Sequence, residues 1–252
     1  MKRDLESAFR HIPVSPQDSP LLGFHWENTY YAEQFLPFGL RTAPYLFNLF
    51  AEVFHWFLEQ ELQRQDLQVQ IIHYLDDFLL VIPPGSDLTL YSSTFTTLCQ
   101  EVGLAINTAK NEEGSIASFA GVELDTSTMV IRLLIKKLRK AQTLVQSPIS
   151  RKSASLQDLQ KLTGYLNFVS TVVPLGCTFL RRLYNMELYF PAGSRHLRRR
   201  LSREALKYLA WWNHVLIEAP QRSFNVQVRR TISVWTDTSS IKGLGAFFTS
   251  KE

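Results

Sequence analysis

Two adjacent acids, Asp76 and Asp77, interrupt an otherwise apolar run, QIIHYLDDFLLVI, at residues 70–82. Ionised carboxylates are costly to bury, and neighbouring like charges repel. A pair in this setting must project at a hairpin tip or be met by positive charge. A third acid, Asp4, stands in KRDLESAFRHIPV, at the start of an expected strand. Three carboxylates on two neighbouring strands can chelate two divalent cations roughly 3.5–4 Å apart. Hard oxygen ligands that leave positions for water or phosphate suit Mg²⁺. The plain alternative is a polar turn, where Asp is common.

Strands are expected at Leu67–Tyr74 and Phe78–Ile82, with the acids between them and Pro83-Pro84-Gly85 ending the second. Upstream, LLGFHWENTYYAEQF has the pattern of two strands turning near Glu27-Asn28, followed by the loop LPFGLRTAP. From Pro44 a stripe of Leu46, Leu49, Phe50, Val53 and Phe57, widened by Phe47, Phe54 and Leu58, predicts a well-buried helix. A second amphipathic helix runs through Leu88, Tyr91, Phe95, Leu98 and Val102, closed by Gly103. Short strands are expected at Leu104–Asn107, Ser115–Leu124 and Met129–Leu133. Helical patterns rich in Lys and Arg then occupy 134–146, 155–170, 177–188 and 202–217, and the end is strand-like again. The fold class is α+β, with mixed elements first and helices second.

Charge follows the same division. Residues 1–130 hold 6 Lys and Arg against 17 Asp and Glu, whereas residues 131–252 hold 21 against 6. An acidic half joined to a basic half fits a cation site beside a polyanion track, or two solvated faces of opposite sign. The two cysteines, Cys99 and Cys177, are far apart, as reduced thiols would be, and no histidine has zinc-ligand spacing. No run of 18 apolar residues predicts a membrane span, and MKRDLESAF lacks the apolar core of a signal peptide. The expected location is intracellular, cytoplasmic or nuclear.

Five segments over residues 4–126 together resemble the palm of a reverse transcriptase, and in the family's order: DLESAFRHIPV, LPFGLRTAPYLFNLF, YLDDFLLV, GLAINTAKNEEGS and FAGVELDT. The resemblance implies a right-hand polymerase palm, an antiparallel sheet packed on helices, at 1–130. A helical thumb and connection follow at 131–222, and a truncated RNase H-like β segment at 223–252. LLGFHWENTYYAEQFLPFGLRTAPYLFN together with LTGYLNFVSTVVPLGCTFLRRLY is most similar to DIRS-type retrotransposons, which pair this enzyme with a tyrosine recombinase. The expected activity is RNA-directed DNA synthesis on an RNA template and DNA primer from dNTP, using two Mg²⁺ ions, with Mn²⁺ an alternative. The fingers segment is expected to lie outside this chain, as is the rest of the RNase H-like region. A catalytically silent remnant that only binds nucleic acid is the competing expectation.

By resemblance, Asp4 and Asp76 bind both metals, Asp77 is the more peripheral hairpin carboxylate, and Lys110 stands where a lysine can protonate pyrophosphate, or else is a solvated loop lysine. Phe9 would be the aromatic gate against a ribose 2′-OH, or else a core phenylalanine. Phe38 replaces a polar residue found in retroviral enzymes, or staples the helix. Gly39 would let backbone approach template or nucleotide, and Tyr74 would pack near the primer end. Phe119, Gly121 and Val122 resemble the primer-grip hairpin, with Ala120 where a bulkier aliphatic is usual. Lys136, Lys137, Arg139 and Lys140 begin the thumb, and Arg181-Arg182, Arg195, Arg198, Arg199, Arg200 and Arg203 add basic clusters that would track phosphates without reading bases. Trp211 and Trp212 are expected in helix packing. Asp237, in SVWTDTSSIKGLGAFF, would be the first RNase H-like carboxylate.

Overall fold

The strand expected after Asp4 lies before it. In the computed structural model, which describes residues 1–191, 193–224, 233–239 and 243–249, β1 is Lys2–Asp4 and the chain then turns through Ser7, at φ 54°, into a 3-10 helix over Ala8–His11. A hairpin of β2 (Gly23–Trp26) and β3 (Thr29–Ala32) turns at Glu27-Asn28. Both turn residues have positive φ, as a type I′ turn requires.

Helix α1 spans Ala43–Arg64 with Pro44 in its first turn. Its buried stripe is Ala43, Phe47, Ala51, Phe54, Leu58 and Leu62. This is one residue along from the stripe expected, so Leu46, Leu49, Val53 and Phe57 face outward. Apolar residues cover well over half of this helix, and periodicity alone does not choose among adjacent faces. The hairpin of β4 (Gln70–Tyr74) and β5 (Asp77–Val81) follows, then α2 (Leu88–Glu101), capped when the Asp87 side chain accepts from the Thr89 amide at 2.9 Å. Strands β1, β5 and β4 form an antiparallel sheet in that order. Its apolar face packs on both helices: Phe54 meets Phe78 and Phe95 edge-on, with ring centroids 5.3 and 5.6 Å apart.

The segment expected as a strand at 104–107 contributes only a bridge, Leu5 to Ile106. The segment 115–124, a strand by pattern, is the hairpin that the resemblance implies: β6 (Ile116–Phe119) and β7 (Val122–Asp125), folded at Ala120 and Gly121 with φ of 48° and 85°. Next come β8 (Val130–Leu133), α3 (Ile135–Arg151), β9 (Ser153–Ser155) and α4 (Leu156–Val169), the last opened by a capping box between Ser155 and Asp158. Helix α5 (Arg181–Glu187), β10 (Arg198–Arg200), α6 (Arg203–Ile217) and β11 (Gln221–Ser223) complete this part. Strand β11 returns beside β8, giving a sheet ordered β11-β8-β7-β6.

The four helices and this sheet share a second core around Leu138, Val145, Leu159, Leu166, Leu209 and Trp212. Trp212 is fully buried and donates Nε1–H to the Phe179 carbonyl at 3.1 Å, while Trp211 stacks on the Phe179 ring. Both tryptophans therefore pack helices, as expected. Strands β12 (Ser233–Ser239) and β13 (Gly243–Thr249) pair antiparallel in a two-stranded sheet of their own. The architecture is α+β, antiparallel sheets packed with helices. Among the described residues no helix is long and apolar enough to cross a membrane.

Candidate active site

Backbone register gathers the acids. Asp4, the last residue of β1, lies opposite Asp77, the first of β5, and Asp77 also pairs with Tyr74 across the hairpin. Only Leu75 and Asp76 remain as the loop, and the Leu5 amide donates to the Asp76 carbonyl at 3.0 Å. Leu75 has φ 54°, a conformation that costs a side chain about 1–2 kcal/mol. Its side chain packs on the first core, which holds the tip in place.

Two lysines meet these acids. Lys110, on a 3-10 turn, donates to both oxygens of Asp4 at 3.0 and 3.1 Å. The Lys2 ammonium lies 3.1 Å from Asp77 Oδ1. Burial pushes the Asp76 and Asp77 carboxyls above the usual range; the nearby Asp4 adds to this, and the lysines oppose it. The hydrogen bond to Asp4 raises Lys110. Lys2 is absent from the sequence expectations, although strand alternation puts it on the same face of β1 as Asp4. Its partner is far away in sequence, so only the sheet register reveals the pairing.

Among the described residues, no three His, Cys, Asp or Glu side chains form a ready-made metal cage. The donors still fit a hard divalent ion. They are carboxylate oxygens, and an ammonium already sits astride both oxygens of Asp4, where a cation is favoured. Lys110 is 56% exposed on a flexible stem, so it can swing aside.

Residues 1–124 match the sequence pattern of the family described as reverse transcriptase (RNA-dependent DNA polymerase). Protein P of Duck hepatitis B virus (strain China) is 27% identical over 183 residues, covering 72% of this chain and 22% of that protein. The Gag-Pro-Pol polyprotein of Mouse mammary tumor virus (strain BR6) is 24% identical over 223 residues, 86% of this chain and 12% of that one. This chain thus spans about a fifth of the length of the hepatitis virus relatives and about an eighth of the polyprotein. A foamy viral protease-reverse transcriptase in complex with dsDNA shares the fold, with TM-score 0.64 at 18% identity over 100% of this chain and 48% of that one. The same viral protein with an RNA/DNA hybrid gives TM-score 0.61 at 20% identity, over 87% and 27%.

Around the acids, the remaining expected residues fall into separate groups. Phe9, half-buried in the 3-10 helix after Asp4, packs between the rings of Phe38 and Phe47, at 5.3 and 5.8 Å. Phe38 itself is exposed, as is Tyr74. Gly39 has φ 94° and open space where a Cβ would stand, so conformation is what requires glycine there. Phe119 pairs with Val122, and between them Gly121 abuts α3 and α4: a Cβ would lie 3.2 Å from Phe168 Cζ and 3.5 Å from Lys137 Cε. Lys136, Lys137, Arg139 and Lys140 are all exposed on α3, with Lys137 and Lys140 over the rings of Phe168 and Tyr165. Arg198 is tied into the fold by Asp158 at 3.0 Å and the Ser153 carbonyl at 2.9 Å. Arg199 lies over the Phe190 ring, and Arg200 is exposed on the same strand. Asp237 sits on β12 opposite Gly245, outside the sheet that carries the other acids.

Proposed function

We propose that this chain is the palm and thumb of an RNA-directed DNA polymerase that extends a DNA primer on an RNA template. The observation that carries the proposal is the pairing of Asp4 with Asp77 across β1 and β5, with Asp76 at the adjoining hairpin tip. In this reading Asp4 and Asp76 hold two divalent ions, Mg²⁺ or Mn²⁺. Such ions activate a primer 3′-hydroxyl and neutralise charge on the transferred phosphate and on pyrophosphate. Lys110, displaced from Asp4, stays protonated and is placed to donate to the leaving pyrophosphate. The Phe9 ring, wedged between Phe38 and Phe47, sets the floor beneath the incoming sugar and excludes a 2′-hydroxyl. Tyr74 and the backbone at Gly39 border the primer end and the nucleotide. The hairpin of Phe119, Gly121 and Val122 positions the primer, and the exposed lysines and arginine of α3 follow phosphates without reading bases.

The finer assignment is a retroelement enzyme of the DIRS type, working with a tyrosine recombinase of the same element and followed by an RNase H-like domain that begins near Asp237. The combination of the segments at 21–48 and 162–184 supports it.

The test is primer extension on an RNA template with Mg²⁺. Asp76→Asn should lower synthesis by roughly two orders of magnitude or more, since the variant keeps shape but gives up ligand charge, while duplex binding persists. Phe9→Ala should extend with dNTP and accept rNTP more readily. Binding without any Mg²⁺-dependent synthesis by the wild type would contradict the proposal.

A further inference from the structure

Two lysines meet the acid cluster, and they differ in freedom. Lys110 is 56% exposed on a short 3-10 turn, whereas the Lys2 side chain is only 10% exposed. The Lys2 backbone is fixed on both sides, by its pairing with Leu79 and by reciprocal hydrogen bonds with Glu112 at 2.7 and 3.2 Å. Asp77 Oδ1 is buried and makes no hydrogen bond of good geometry, and the Lys2 ammonium 3.1 Å away is the cation beside it. A buried ammonium facing the buried oxygen of a half-buried carboxylate is costly alone and is tolerated as a pair. An ion arriving from solvent can displace Lys110 from Asp4; it cannot displace Lys2, whose stem is enclosed.

We propose that Lys2 is a positioning residue, a built-in counter-ion that neutralises Asp77. The second acid of the hairpin then orients the tip without ligating metal, and Asp4 and Asp76 are the ligands. The inference rests on the polymerase reading of the same site.

The two are separated by titrating the chain with Mn²⁺ and following the free ion by electron paramagnetic resonance. Asp76→Asn should weaken binding by about tenfold or more through loss of a charged ligand; an unchanged affinity would remove the metal site and the polymerase reading with it. Asp77→Asn should also weaken binding, because it leaves the Lys2 charge uncompensated. The double variant Lys2→Met/Asp77→Asn, which replaces a largely buried ion pair by neutral groups of similar volume, should recover to within about threefold of wild type. A double variant as weak as Asp77→Asn would make Asp77 a ligand and overturn the proposal while sparing the reading. No effect of Asp77→Asn alone would overturn it too. Lys2→Arg keeps the charge and should keep wild-type affinity; its loss would also count against the proposal.

Discussion

Asp125 shows how one carboxylate is held in its charged form. Its side chain accepts from the amides of Ser127 and Thr128 at 3.0 and 3.1 Å, and from Arg132 at 2.9 Å. The hydrogen bonds from Ser127 and Thr128 hold it far below the usual carboxylate range. A depressed folded-state pKa gives stability that is present above the unfolded value, about 3.9, and lost as pH falls through the folded one. The thermal midpoint should therefore drop as pH is lowered from about 4, and Asp125→Asn should flatten that part of the profile. An unaltered acid limb in the variant would assign the loss to other carboxylates. Residues of this kind differ in how readily the sequence discloses them. Asp76 and Asp77 stand out because acids in an apolar run demand a reason. Lys2 does not, because a lysine near a chain's first strand is ordinary until register sets it against Asp77.

Elements were legible where turn chemistry and periodicity agreed. The Glu27-Asn28 hairpin and the helices from residue 135 onward fall close to where the pattern puts them. The α1 stripe was displaced because either of two adjacent faces is apolar enough to bury. Its outward residues leave an apolar surface, so Val53→Lys should change the thermal midpoint little, whereas Phe54→Ala should cost about 3–5 kcal/mol in denaturant unfolding. Equal costs would mean that both faces are buried in solution. The β6–β7 hairpin is legible through the resemblance at Phe119, Gly121 and Val122 and not through local pattern, because Ala120 gives little turn signal beside a lone glycine. Short edge strands such as β9, β10 and β11 were missed for another reason: each pairs with a segment remote in sequence, which local pattern does not encode.

At the scale of the whole chain, the division of charge follows the division into two cores. The acidic half carries Asp4, Asp76 and Asp77, and the basic half carries the exposed lysines of α3 beside the Gly121 tip. That tip, touching Phe168 and Lys137, joins the hairpin of one half to the helices of the other. Fold class was readable from sequence because segment order and patterning are properties of the whole chain; the lysine contacts at the acids were not. The measurement that bears most directly on the account is anomalous X-ray scattering from crystals grown with Mn²⁺ and an RNA–DNA primer–template. The account predicts manganese about 2.1 Å from carboxylate oxygens of Asp4 and Asp76, with Lys110 moved off Asp4 and Lys2 still on Asp77. Manganese sites away from these acids, with Lys110 still astride Asp4, would contradict it.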